Sequence, residues 1–218
     1  MFNWIRKLTG KNKQNIEETN YSFKWYEAND DENPFNKRIL DIRSLTQTVI
    51  ATTSDPAIAT RFSATRNSDG KEFRNTEIQN SASIETTLVY PHNGESLDGI
   101  VFKAPEMEAK WDIYIYDNCF FFVRSWAGDL IYKAHAEMLK DKIIINRIEY
   151  DGKTDSIYAI NSVHFLMKTH AFGQVFPHYV TDIVNDEKTI ALMSFSQFGN
   201  KACYACLDEI LDATVFGK

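Results

Sequence analysis

The sequence predicts an α+β fold: an antiparallel, largely meandering sheet of six or more strands, with N-terminal and C-terminal helices packed on it. Three observations predict this. The run from Trp111 to Tyr132, WDIYIYDNCFFFVRSWAGDLIY, is dense in aromatic and branched residues and is broken only by Asp117-Asn118 and Gly128-Asp129, pairs that tolerate the backbone angles of tight turns. Strand-like stretches at 84–90, 99–104 and 142–150 flank it with short turns between, which makes antiparallel pairing of neighbours the natural topology. Beyond Asp155 the apolar spacing changes from that of a strand to that of a helix.

Composition sets the outer limits. At 44% hydrophobic and 25% charged, 218 residues can bury a sizeable core without staples. The net charge of −6 is uneven: Arg6, Lys7, Lys11 and Lys13 give residues 1–13 a charge of +4, which leaves −10 on the rest. An acidic body mismatches the phosphate backbone, so no nucleic-acid partner is expected. Three cysteines argue against a disulfide framework and for a reducing compartment. No apolar run reaches the roughly 20 residues that span a bilayer, and the first residues lack the apolar centre of a secretory signal. A cytoplasmic location is the expectation.

Taken in order, residues 1–20 form a basic segment and linker, and 21–218 a single α+β domain. Met1 to Lys13 can form a short helix with Phe2, Trp4, Ile5 and Leu8 beside its cations, a pattern that also suits a membrane surface. Tyr21 to Tyr26 and Arg38 to Arg43 read as strands. Ser44 to Gln47 has the form of a capping box for a helix through about Thr52, and Asp55-Pro56 starts a second helix over Ala57 to Thr65. Counting outward from Asp117-Asn118 pairs Trp111 with Arg124 and Tyr116 with Cys119, so Trp111 is the platform for the guanidinium. Counting from Gly128-Asp129 pairs Ile131 with Trp126, Lys133 with Arg124 and His135 with Phe122. Asp155 caps a helix through about Phe172, with Ala159, Ile160, Val163, Leu166, Met167 and Ala171 on a broad face and Tyr158, Phe165 and Phe172 on a second stripe. Thr189 to Phe198 reads as a last strand, and Cys203, Cys206, Leu207 and Ile210 as one side of a final helix.

No dinucleotide loop, phosphate loop or nucleophile elbow occurs, and the histidines do not assemble at ligand spacing, so no cofactor and no metal are expected. Cys203 and Cys206 form the one C-x-x-C, a redox candidate if a helix N-terminus lowers the Cys203 pKa. Asp112, His135 and Glu137 are the candidates for acid–base chemistry. A Ser125–His135 pair is ruled against by the register, because nucleophile and base must come within hydrogen-bond reach. Tyr114, Tyr116, Phe121 and Tyr132, with the helical stripe Tyr158, Phe165 and Phe172, are the candidates for recognition, since tyrosine combines an apolar body with a polar tip. The function expected is a non-enzymatic protein-binding module of the antitoxin or immunity kind, engaging a basic partner protein through electrostatic steering. The alternatives are a hydrolase-like enzyme with a cleft between sheet and helices, and a peripheral membrane-surface protein attached through residues 1–13.

Overall fold

The computed structural model describes residues 20–51, 55–181 and 186–216. The basic segment Met1 to Lys13, and with it the membrane-surface alternative, lies outside the described residues. In chain order the strands are β1 (Lys24–Tyr26), β2 (Ile39–Asp41), β3 (Ser81–Pro91), β4 (Gly99–Phe102), β5 (Trp111–Tyr116), β6 (Cys119–Arg124), β7 (Leu130–Met138), β8 (Lys142–Asp151), β9 (Pro177–Tyr179) and β10 (Tyr204–Cys206). The helices are α1 (Arg43–Thr46), α2 (Pro56–Thr65), α3 (Ser156–Leu166) and α4 (Glu187–Phe198). The fold is α+β. A six-stranded antiparallel sheet has the order β3-β8-β7-β6-β5-β4, and a four-stranded sheet has the order β1-β2-β10-β9 with β10 and β9 parallel. One apolar core joins Ile113, Phe122 and Ile145 of the large sheet, Val163 of α3, Phe198 of α4, and Leu40 and Ala205 of the small sheet.

The central hairpin has the expected register, from Trp111 opposite Arg124 to Tyr116 opposite Cys119. Asp117 and Asn118 take φ of 51° and 58°, the left-handed pair that a two-residue turn matching the strand twist requires. Arg124 lies over Trp111 with its guanidinium carbon 4.8 Å from the ring centre.

The next hairpin differs. Gly128 N–H donates to Arg124 O at 2.8 Å and Arg124 N–H donates to Asp129 O at 2.9 Å, so the loop closes on Arg124 itself instead of turning at Gly128-Asp129 alone. The register shifts between Phe122 and Val123. Lys133 therefore faces Phe121, not Arg124, and His135 faces Cys119, not Phe122. An odd slip exchanges faces: Tyr132 moves to the Phe122 side, and His135 to the Cys119 side.

Further expectations are corrected. The sheet is a meander only from β4 to β8, because β3 pairs with β8 and the 92–98 connection crosses from one edge of the sheet to the other. Thr189 to Phe198 is not a strand: Asp186 accepts from Thr189 N–H at 2.8 Å as an N-cap, and Ile190, Ala191, Ser194, Phe195 and Phe198 are buried at helical spacing. The stretch holding Cys203 and Cys206 is not a helix; Tyr204–Cys206 is a buried strand between β2 and β9. α3 packs against β9 of the small sheet and against β3, β7 and β8 of the large one, and most of its residues are buried, so it lies between the two sheets. Asp155 caps α3 by accepting from Tyr158 N–H at 2.9 Å, and a π-helical turn, Met167–Ala171, extends it. Asp55 caps α2 as expected, accepting from Ala57 N–H at 2.9 Å with Pro56 at the first position. Ser44 does not cap α1; Ile42 precedes the helix with no side-chain hydrogen bond.

Candidate functional site

The acid–base candidates are not brought together. Asp112 is 2% exposed, and its carboxylate accepts from Ala104 N–H at 2.8 Å, Lys103 Nζ at 2.9 Å and the Tyr114 hydroxyl at 3.3 Å. Lys103 Nζ also donates to Thr65 O, so this network ties α2 to β4 and β5. His135 Nε2 lies 2.6 Å from Glu149 Oε1 on the outer face of the sheet, where Arg147 and Lys133 approach the same carboxylate at 3.5 and 4.0 Å. Glu137 is exposed farther along β7. Cys119 stands opposite His135, but burial pushes its thiol up to about 12, away from the thiolate a nucleophile needs. Ser125 donates to Ala109 O at 2.9 Å, away from His135.

The recognition candidates divide in the same way. Tyr114, Tyr116 and Phe121 are 1%, 3% and 4% exposed in a small second core, covered not by the long helix but by Phe73 of the 3-10 turn Lys71–Asn75. Burial raises the pKa of Tyr114, with the Asp112 charge adding to it. Gly70, at φ 85°, lies flat on the Tyr114 ring, where a Cβ would come within 2.3 Å of the ring carbons. Tyr132 is in the main core, stacked on Trp111 at 5.9 Å, and Phe165 packs on Phe198 at 4.5 Å. Tyr158 is half-buried. The rings of Tyr114, Tyr116, Phe121, Tyr132 and Phe165 are interior and form no surface that a partner can touch. The exception is Phe172, which stacks on Tyr90 at 5.5 Å and lines an open groove.

Cys203 and Cys206 are free and buried. Burial raises both thiols, Cys206 to about 11, and the helix N-terminus on which a lowered pKa rested is not there. Their odd separation along an extended segment directs the two side chains to opposite sides, unlike the convergent geometry a disulfide requires. The Ser–His contact that the fold does build, Ser194 Oγ to His178 Nε2 at 2.8 Å with His178 Nδ1 on Tyr204 O at 2.8 Å, is in the core, and neither residue lines the groove.

A groove between the large sheet and the end of α3 is present, but its place and its lining, other than Phe172, are what sequence reasoning missed. It has a volume of about 660 Å³ and opens at the end of the large sheet that the 92–98 connection crosses. Its floor is Ile115, Phe120 and Ile143 from the core face of the sheet. One wall is Met167, Ala171 and Phe172 from the π-helical turn and its end, and the rim is His92, Asn93, Ser96, Leu97 and Asp98. Behind Phe172, Tyr90 and His164 form a buried hydrogen bond of 2.9 Å; burial lowers the imidazole to about 4, so it stays neutral and the Tyr90 hydroxyl donates to Nδ1. Leu97 and Ile100 at the lip are 38% and 54% exposed. Ser96, His92 and Asp98 share the rim, but no hydrogen bond links them among the described residues. The lining contains one charged side chain, Asp98, and no lysine or arginine. Such an arrangement suits uptake of an apolar group beside a donor or cation. The signal in the sequence was the length and polarity of PHNGESLDG, too long for a tight hairpin between β3 and β4.

Among the described residues, no group of three or more His, Cys, Asp or Glu is placed to hold a metal ion, and no helix is long and apolar enough to cross a membrane. No family model matches the chain, and comparison with curated proteins and with solved structures yields no similar protein.

Proposed function

We propose that this chain is a non-enzymatic protein-binding module that receives an apolar segment of a basic partner protein in the groove at the end of the large sheet. The observation that carries this reading is the lining: a floor of Ile115, Phe120 and Ile143, a wall of Met167, Ala171 and Phe172, and Asp98 as the single charged group at the rim. An aliphatic anchor from the partner removes apolar area from water on that floor at about 25 cal/mol per Å². A lysine or arginine flanking the anchor meets Asp98, and the net charge of −6 steers a basic partner toward the surface. The buried, free thiols suit a reducing compartment such as the cytoplasm.

Ala171→Trp tests the proposal, because Ala171 lines the groove and a large ring there fills it. The chain and its A171W variant are compared as bait in native lysate. The expected result is a stoichiometric partner retained by the wild type, released faster at higher salt, and lost from A171W. Identical capture by both, with the variant folded by circular dichroism, overturns the assignment of the groove.

A further inference from the structure

The large sheet has two edges, and they are not alike. β4 is four residues long and irregular between Ile100 and Phe102, and shortness and irregularity are two ways in which sheet edges are protected from pairing. β3 is eleven residues long. Its pairing with β8 is regular from Ser81 to Glu85 before the register shifts, and that stretch contains neither proline nor lysine.

The hydrogen-bond pattern shows which groups of β3 are free. Gly152 N–H donates to Asn80 O at 2.9 Å, which makes Ser81 and Asp151 a non-hydrogen-bonded pair and Ala82 and Tyr150 a bonded one. Alternation then turns the N–H and C=O of Ser81, Ser83 and Glu85 away from β8. Among the described residues no hydrogen bond reaches these groups, and the three side chains are exposed. Ala82 and Ile84, between them, are only half-buried on the core side.

We infer that two copies of this chain pair antiparallel through the free edge of β3, with the two-fold axis at Ser83, so that the two large sheets become one continuous sheet. The strand is its own complement in this register. Ser83 pairs with Ser83 of the second copy, and Ser81 with Glu85, so each outward N–H finds an outward C=O. On the core side Ala82 meets Ile84, which covers the half-buried aliphatic groups of both copies. On the outer side the Ser81 hydroxyl meets the Glu85 carboxylate. An axis at Glu85 would set two carboxylates face to face, and an axis farther along falls in the irregular stretch before Leu88. Glu85 is the one charge on β3, and an axis at Ser83 places the two copies' Glu85 at opposite ends of the seam, each beside a serine. This surface is separate from the groove, and neither proposal depends on the other.

Ser83→Pro is the decisive variant. Among the described residues the Ser83 N–H serves no bond, and proline is tolerated at an edge-strand position whose N–H faces out. Sedimentation velocity of the full chain from micromolar to hundreds of micromolar is expected to show a species of twice the monomer mass, and S83P a monomer with unchanged far-ultraviolet circular dichroism. Hydrogen exchange of the wild type gives a second reading that needs no variant. The amides of Ser81, Ser83 and Glu85 exchange more slowly by an order of magnitude or more at high concentration than at low. A wild-type monomer throughout that range, an S83P dimer as stable as the wild type, or amides equally fast at both concentrations overturns the inference.

Discussion

Asp112 illustrates how far a residue's meaning depends on what the chain folds around it. In the strand WDIYIY, a lone aspartate among aromatic residues reads as a rim group or a catalytic acid. Once Lys103 and the Ala104 N–H close on it, the carboxylate is a buried node with three donors, and Lys103 Nζ links it to Thr65 O. Buried charges persist when they are paired and hydrogen-bonded, and they are costly when one partner is removed. Asp112→Ala strands an ammonium whose side chain is only 20% exposed and leaves the Ala104 N–H unpaired. The expected loss is about 3–5 kcal/mol, seen as a lower urea midpoint. Replacing Asp112 and Lys103 together by leucine and methionine is expected to lose less than Asp112→Ala alone, because no uncompensated charge remains.

At the scale of elements, α4 is held at its C-terminal end by a side chain from the large sheet. Arg124 Nη1 donates to Gln197 O at 2.6 Å and Nη2 to Ser196 O at 2.7 Å, while Trp111 Nε1 donates to Gln197 O at 2.7 Å. A guanidinium at the negative end of a helix dipole satisfies carbonyls that the helix itself leaves open. Arg124→Met is expected to cost about 2–3 kcal/mol in urea unfolding, and Arg124→Lys to recover only part, since an ammonium lacks the planar fork that spans two carbonyls. This contact also shows where sequence legibility ends. The central hairpin was legible because Asp117-Asn118 fixes its own register locally, and α2 and α3 because Asp55 and Asp155 are caps with helical spacing behind them. TIALMSFSQF was misread because β-forming residues masked an equally good helical spacing, settled by the Asp186 cap and by packing against the core. β10 is three residues long and buried on both faces, so it carries no alternation to find. The groove was not legible because its floor and its wall come from elements tens of residues apart in the chain.

Across the whole molecule, three of the five histidines are interior, and each is held neutral by its surroundings. His164 lies against Tyr90 and Phe176, His170 against Phe102 and Phe165, and His178 between Ser194 and the Tyr204 carbonyl. Burial lowers their pKa values from 6.5 to about 4, about 3 and about 4, with the Lys168 charge adding to the effect at His164 and the Lys201 charge at His170. The folded values are depressed, so the unfolded chain binds more protons wherever the pH lies below 6.5 and above the folded value. The stability these sites provide is fully present above about pH 6.5 and drains away as the pH falls toward about 4. Each site approaches a slope of about 1.4 kcal/mol per pH unit in that window, so three acting together approach about 4. Against a typical domain stability of about 5–15 kcal/mol, a drop of that steepness removes a large share of the stability before the carboxylates titrate. Urea midpoints at pH 7, 6 and 5 should fall by growing steps, and unfolding at pH 5 should take up close to three protons by calorimetry in buffers of different ionisation enthalpy. A midpoint unchanged from pH 7 to 5 would mean that these imidazoles reach water in the folded state, and the three-layer core would have to be redrawn around them.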